Sequence, residues 1–344
     1  MTETTSAEIN WHDATTWEVE GKGWEETTRR YDRLPARAKA LVRDVVWDLS
    51  RTSAGLCLHF VTDAQQIHAR YDLLHETICM AHMPATSHSG LDLYGTDPGG
   101  TMRWVGAAQP TGPHVESVLA EGLAPGLRHY TLYLPLYNSP ESLQIGVNTG
   151  AVLQPQARRT EKPVLFYGTS ILHGASASRT GMGIPAIVGR RLRRPVINLA
   201  FSGNGKMEPE IADLLAELDP CLFVIDCLPN MVAAEITERA VPLVQRIRRS
   251  RPKTPILLTE DRTYANTRFF PAKMARHHSS RAALRAAWHE LANQEVANIY
   301  YLDGDGLLPE DGEATVDSSH PTDLGMVAYA NAYEAAIRPI LRQA

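Results

Sequence analysis

The sequence predicts a two-part protein, an antiparallel β-sandwich followed by an α/β domain whose doubly wound parallel sheet forms the middle of three layers. Three observations carry this. At 344 residues the chain is longer than one hydrophobic core usually serves. Short apolar runs separated by turn residues fill positions 55 to 150, whereas apolar runs alternating with helix-like segments fill 164 to 342. Between them lies AVLQPQARRTEKP (151–163), rich in Gln, Arg and Pro, which divides the chain into domains at 1–155 and 160–344.

In the first part the runs are GLCLHFVTD, QIHARYDLL, LDLYGTDPGG, MRWVGAAQP, HYTLYLPLY and SLQIGVNTG, with DPGG and NSPES as turns. Strands of this length and spacing build sandwiches. PARAKALVRDVVWDLS (35–50) reads as a helix start whose later VVW favours a strand. In the second part VLFYG (164–168), PVINLAF (195–201), CLFVIDCL (221–228), PILLTE (255–260) and NIYYLDGDG (298–306) are strand-like. Helix-like stretches cover 183–193, 208–218, 232–249, 279–296 and 324–342. Buried strands with intervening helices make a parallel sheet covered on both faces, whose ligands sit at the carboxyl ends of the strands.

Composition removes several classes of function. The net charge of −5 leaves no large basic footprint for nucleic acid. RRLRR (190–194) falls near the end of a helix-like stretch, where cations favour the dipole, and reads as solvated surface. The start, MTETTSAEINW, has no basic leader before an apolar core, and no uninterrupted apolar run of about 20 residues follows. A cytoplasmic protein with no membrane partner is expected. Cys57, Cys79, Cys221 and Cys227 lack CxxC spacing and read as free thiols, with Cys221 and Cys227 in the core. His59, His68, His75, His82 and His88 match no ligand spacing and are scattered by strand alternation, so no metal is expected.

The strand-like VLFYG stops at Gly168 and gives way to Thr169 and Ser170. A glycine turn between strand and helix places a small hydroxyl at the sheet's carboxyl edge, which makes Ser170 a candidate nucleophile; the alternative is that Thr169 or Ser170 caps the helix. The second strand runs into NLAFSGNGKMEPE, where Glu208 stands in place of the third glycine of a dinucleotide fingerprint. A glycine there can instead bring its N–H close to a developing oxyanion, with Gly203 the first choice and Gly205 the fallback. The third strand ends at Pro229 and Asn230, whose side-chain amide either donates to the same oxyanion or serves a turn or cap. VDSSHPTDLG (316–325) holds Asp317 and His320 three apart, so one imidazole nitrogen can donate to the carboxylate while the other faces the serine. Asp303 and Asp323 are rival acids, less well spaced. Without such a base serine is a weak nucleophile.

Together GTSI, SGNG, PN and DSSH resemble, in order and over residues 164–342, the four blocks of the SGNH subgroup of the GDSL hydrolases. The resemblance implies the flavodoxin-like SGNH hydrolase fold, a triad of Ser170, His320 and Asp317, and an oxyanion hole made by Ser170, Gly203 and Asn230. SGLDLYG (89–95) resembles the GxDLY signature of a sandwich domain that precedes this catalytic domain in one branch of the family, so Asp92 and Tyr94 are expected to hold the two domains together. Thr169 departs from the usual block, in which Asp is common, and His173 from the leucine or polar residue of other branches. Both are candidates for substrate binding, and His173 reads equally as a surface helix residue. The implied activity is ester chemistry through an acyl-enzyme. An esterase of a small acylated or glycosylated molecule leads, an acyltransferase from a thioester to a natural-product hydroxyl follows, and a non-catalytic glycan-binding protein stands third. No cofactor is expected beyond acyl-CoA as donor in the transferase reading, and the partners are a small-molecule ester or acyl donor with its acceptor.

Overall fold

The structure, a computed structural model, describes residues 8–343. Among the described residues nine strands build the amino-terminal part: β1 (Ile9–Asp13), β2 (Cys57–Thr62), β3 (Ile67–Leu73), β4 (Asp92–Thr96), β5 (Met102–Ala107), β6 (His114–Ala120), β7 (Arg128–Tyr133), β8 (Pro140–Asn148) and β9 (Leu153–Gln156). They form two antiparallel sheets, ordered β1–β8–β3–β6 and β5–β4–β7–β2–β9. Alternation aims the side chains. In β3, Ile67, Ala69, Tyr71 and Leu73 are buried while His68, Arg70 and Asp72 face outward, and the inward set packs on Leu58, Phe60, Leu93 and Leu132 of the other sheet.

Three strands lie outside the predicted runs, each at or beside a sheet edge where fewer apolar residues are needed. β6 buries only Val115 and Leu119, and β9 lies inside the Pro-rich connector, its Pro155 tolerated because β9 pairs only with β2. The expected strand at VVW is instead a helix, α1 (Asp44–Ser50), with Asp44 in the first turn, where an acid suits the dipole. Its Val46 and Trp47 are buried with Trp24 and Leu34 against the second part of the chain, so a helical spacing was read as strand-like β-branching. A further short helix, α2 (Ala85–His88), stands just before β4.

The second part is an α/β domain with a parallel sheet ordered β11–β10–β12–β13–β14, built from β10 (Val164–Gly168), β11 (Val196–Ala200), β12 (Leu222–Asp226), β13 (Ile256–Thr259) and β14 (Ile299–Leu302). All residues of β10 to β13 are buried, which accounts for their unbroken apolar runs; only the edge strand β14 is partly exposed. The helices are α3 (Ser170–His173), α4 (Ile184–Leu192), α5 (Pro209–Glu217), α6 (Ala233–Ser250), α7 (Pro271–Asn293) and α8 (Asp323–Gln343). One face of the sheet carries α5, α6 and α7 and the other α4 and α8, giving three layers. α7 begins well before 279, with Pro271 preset at its first position, because the turns there carry no apolar stripe to announce them. Among the described residues no helix is long and apolar enough to cross a membrane.

In register, Gly168 lies between Ala200 and Asp226, so the chain leaves β10 at the point where strand order reverses. The seam between the two parts is polar as well as apolar. Met83, Leu136 and Tyr137 enter the core of the α/β part, while Asp92 accepts from Arg179 (2.9 Å), the Gly181 N–H (2.7 Å) and the Trp104 indole (2.9 Å). Arg179 also reaches the Tyr94 hydroxyl, and a Cβ at Gly181 would lie 2.5 Å from the Tyr94 ring, so only glycine fits there. Arg190, expected in solvent, lies 4.1 Å above the Tyr94 ring; Arg193 ends α4 in the left-handed region (φ 53°). Replacing Asp92 with Ala leaves Arg179 half-buried and unpaired. We expect thermal or denaturant unfolding to register a loss of about 3 kcal/mol or more, whereas a surface exchange such as Asp63→Asn should cost little.

Candidate active site

Ser170 is placed by the end of β10. A Cβ at Gly168 would lie 2.5 Å from the Asp226 carbonyl oxygen, so the strand can pack this tightly only with glycine. Thr169 is buried, and its Oγ1 accepts from the Ile171 N–H (3.4 Å) as the cap of α3. That corrects its assignment to substrate binding, because its hydroxyl is used and hidden. The Ser170 hydroxyl is left to face His320, with Oγ 2.8 Å from Nε2. The other ring nitrogen, Nδ1, is 2.7 Å from Asp317 Oδ2, which sets the tautomer. Asp317 Oδ1 accepts from the backbone N–H groups of Ser319 (2.9 Å) and His320 (2.8 Å), closing a turn in which Ser318 takes φ 74°. Burial would push the Asp317 carboxyl up, but these donors and the imidazole outweigh it and hold the group at about 2.

The two glycines after β11 divide their tasks. Gly205 packs so closely that a Cβ would sit 2.0 Å from the Gly168 carbonyl oxygen, and its N–H donates to the Phe201 carbonyl (3.0 Å). Gly203 takes φ 68° with open space where a Cβ would stand. Asn230 follows β12, and with its side-chain oxygen turned to the N–H groups of Asn204 (2.9 Å) and Gly205 (3.2 Å) it gives each a second acceptor beside the Phe201 carbonyl. Its amide N–H groups are thereby turned away from that loop. The Ser170 N–H, at the first position of α3, has no intrahelical acceptor.

Two features were not read from the sequence. The first is a buried ionic support at the end of β13. Asp261 pairs through Oδ1 with Arg262 and through Oδ2 with Arg276 (2.8 Å). Arg262 in turn donates to the Ser319 carbonyl (3.1 Å), between Asp317 and His320, and Arg276 donates to the carbonyls of Leu228 (3.1 Å), Pro229 (2.9 Å) and Met231 (3.1 Å) around Asn230. Despite full burial, the Arg262 charge keeps the Asp261 carboxyl well below the usual range. The charged doublet DR after an apolar run was the available signal. The second is His82, whose ring centroid lies 5.3 Å from that of His320. It comes from the sandwich on a turn closed by Met80 and Met83, with Met83 buried in the α/β core. Nothing local to His82 distinguishes it from the other sandwich histidines.

The remaining candidates lie elsewhere. His173 is fully buried at the seam, its Nε2 near the Leu136 carbonyl (2.8 Å) and Thr52 Oγ1 (3.0 Å), its ring stacked on Tyr137 at 4.1 Å. It is therefore neither a pocket residue nor a surface one, since the sandwich covers the helix face it occupies. Asp323 accepts from Ser178 N–H (2.9 Å) and Asp303 pairs with Arg285 (3.1 Å), so neither rival acid approaches His320. Among the described residues one trio, Glu20, Cys57 and His59, could converge on a cation. Both Glu20 oxygens already accept from Arg159, which together with His59 overcomes burial and holds the Glu20 carboxyl at about 2. The trio is part of an ion-pair network with its own resident cation.

Residues 161–338 match the GDSL-like lipase/acylhydrolase family, and residues 9–153 match the GxDLY domain found at the amino terminus of SGNH-hydrolase-type esterases. A Bacteroides ovatus protein solved at 1.40 Å and assigned as a GDSL-like lipase is 33% identical over 97% of this chain and 98% of its own, with a TM-score of 0.93. The salicylyl-acyltransferase SsfX3 of a tetracycline biosynthetic pathway is 20% identical over 96% and 97%, with a TM-score of 0.78. A family two carbohydrate esterase from Clostridium thermocellum, solved with cellohexaose, is 15% identical over 85% and 94%, with a TM-score of 0.58. The curated proteins contain no match. The chain is an enzyme of the GDSL-like lipase/acylhydrolase family, with its SGNH-type α/β domain preceded by a GxDLY sandwich.

Proposed function

We propose that the enzyme is a serine esterase that deacylates a small molecule through an acyl-enzyme. The observation that carries this reading is the continuous chain from Ser170 Oγ to His320 Nε2 and from His320 Nδ1 to Asp317. Ser170 Oγ bonds to the acyl carbon while its proton passes to Nε2, and the carbonyl oxygen becomes an oxyanion. The N–H groups of Ser170 and Gly203 and the amide of Asn230 stabilise that charge. Collapse expels the alcohol, which takes the proton from His320. Water then attacks the ester, gives its proton to Nε2 and releases the acid, and Ser170 recovers its proton. Asp317, held near pKa 2, is ionised throughout and stabilises the imidazolium. Its lowered value stabilises the fold above about pH 4, and that contribution is lost only as pH falls towards 2.

The surroundings indicate substrate shape. The loop bearing Phe269 (83% exposed) and Phe270 is tied to the Asp317–His320 turn by the Ala265 N–H to the Ser318 carbonyl (3.0 Å), offering apolar surface for an acyl chain or leaving group. Acyl transfer to an alcohol is the second reading. It is favoured by the small exposure of Ser170 (8%) and by His82, which the sandwich lays beside His320 and which limits the access of water.

With p-nitrophenyl acetate, Ser170→Ala should lower turnover by about 10³ or more, and unchanged turnover would remove Ser170 from the nucleophile role. Acyl-CoA incubated with and without candidate alcohols, followed by mass, separates the two readings: free acid without acceptor is expected, and acylated alcohol as the sole product would overturn the esterase. Asp261→Ala should destabilise by about 3–5 kcal/mol because it leaves two guanidinium groups unpaired. In the fraction that remains folded it should lower kcat more than it raises KM, since both supported turns act on the transition state.

A further inference from the structure

A cavity of about 560 Å³ lies in the seam between the sandwich and the flank of α4, and none of Ser170, Asp317 and His320 lines it. Its volume is in the range of small-molecule sites. Five arginines line it, Arg159, Arg179, Arg190, Arg191 and Arg193, and among the described residues no aspartate or glutamate is part of the lining. Three have carboxylate partners behind the wall: Arg159 with Glu20, Arg179 with Asp92, and Arg191 with Glu334. Arg190 and Arg193 have none among the described residues. Arg190 is held by aromatic faces instead, 4.1 Å above Tyr94 and 5.5 Å from Tyr133, and its Nη1 is buried without a hydrogen-bond partner. Cation–π contact offsets part of its desolvation and leaves its charge uncompensated. Trp104, 52% exposed, flanks the cavity with Arg179 above its ring.

Two unneutralised guanidinium groups at one cavity of a chain with net charge −5 call for a ligand that brings about two negative charges. Planar guanidinium forks match the oxygens of phosphate in particular. We propose that this seam is a binding site for a small molecule carrying a phosphate group, separate from the candidate active site and independent of the function assigned to it. Arg193 lies three residues before β11, at the sheet edge opposite Ser170, so a ligand here bridges the two parts of the chain without approaching the acyl carbon. The cavity exceeds a bare anion in size, leaving room beside Trp104 for an organic body.

Titration calorimetry of the full chain at low ionic strength tests this with inorganic phosphate, pyrophosphate, AMP and adenosine. One equivalent of pyrophosphate or AMP should bind, adenosine should not, and added NaCl should weaken the binding. AMP tighter than phosphate identifies an organic phosphate as the ligand class; pyrophosphate without AMP identifies the free anion. Binding should also raise the thermal midpoint, because the ligand joins both parts in the native state alone. Arg190→Met, which keeps the aliphatic stem, and Arg193→Asn, which tolerates the left-handed backbone, should each raise Kd by about tenfold or more, while Ser170→Ala should not change it. Should Arg190→Met fail to fold, Arg193→Asn, exposed beyond the end of α4, decides alone. Absence of saturable binding by every phosphate compound, or unchanged Kd in the arginine variants, overturns the proposal.

Discussion

The candidate site rests on one fully buried carboxylate. Asp261 stands at the end of β13, and each of its oxygens holds an arginine that reaches a different turn. Arg262 fixes the Ser319 carbonyl between Asp317 and His320, and Arg276 gathers three carbonyls around Asn230. Backbone carbonyls in tight turns need donors, and buried arginines need a counter-charge; the arrangement satisfies both with three side chains. Its consequence is geometric. His320 and Asn230, on separate turns far apart in sequence, are referred to a single point beneath the candidate site, the kind of support that a narrow tolerance in position requires.

The sandwich is equally part of the construction. It inserts Met83, Leu136 and Tyr137 into the α/β core, buries His173, locks Arg179 and Gly181 onto Asp92 and Tyr94, and sets His82 beside His320. An α/β domain of this topology leaves its carboxyl edge open, and here a neighbouring fold closes one side of it. The surroundings of the Ser170–His320 pair are therefore shaped by the seam as well as by the α/β domain.

Much of this was legible in the residues. Unbroken apolar runs marked β10 to β13 because strands covered on both faces must be apolar throughout, and the DxxH spacing marked the Asp317–His320 pair because a three-residue turn fits it. Edge strands were not legible: β6 and β9 bury too few side chains to leave a pattern. α1 was misread because Val45, Val46 and Trp47 carry β-propensity that the packing of Trp47 against the α/β core overrides. Thr169 and His173 were misassigned for a different reason, since a cap and a seam contact depend on partners, Ile171 N–H and Tyr137, that spacing does not reveal. Asp261 and His82 were missed likewise, as both act through contacts distant in sequence.

In the proposed reaction the imidazole of His320 makes the hydroxyl of Ser170 nucleophilic. Reaction with a fluorophosphonate, followed by intact mass and peptide mapping, tests it most directly, because the reagent reports the activated oxygen whatever the natural substrate. One adduct per chain is expected, on Ser170, lost when His320 is replaced by Ala. An adduct on another residue, or equal labelling of Ser170 without the imidazole, would contradict it.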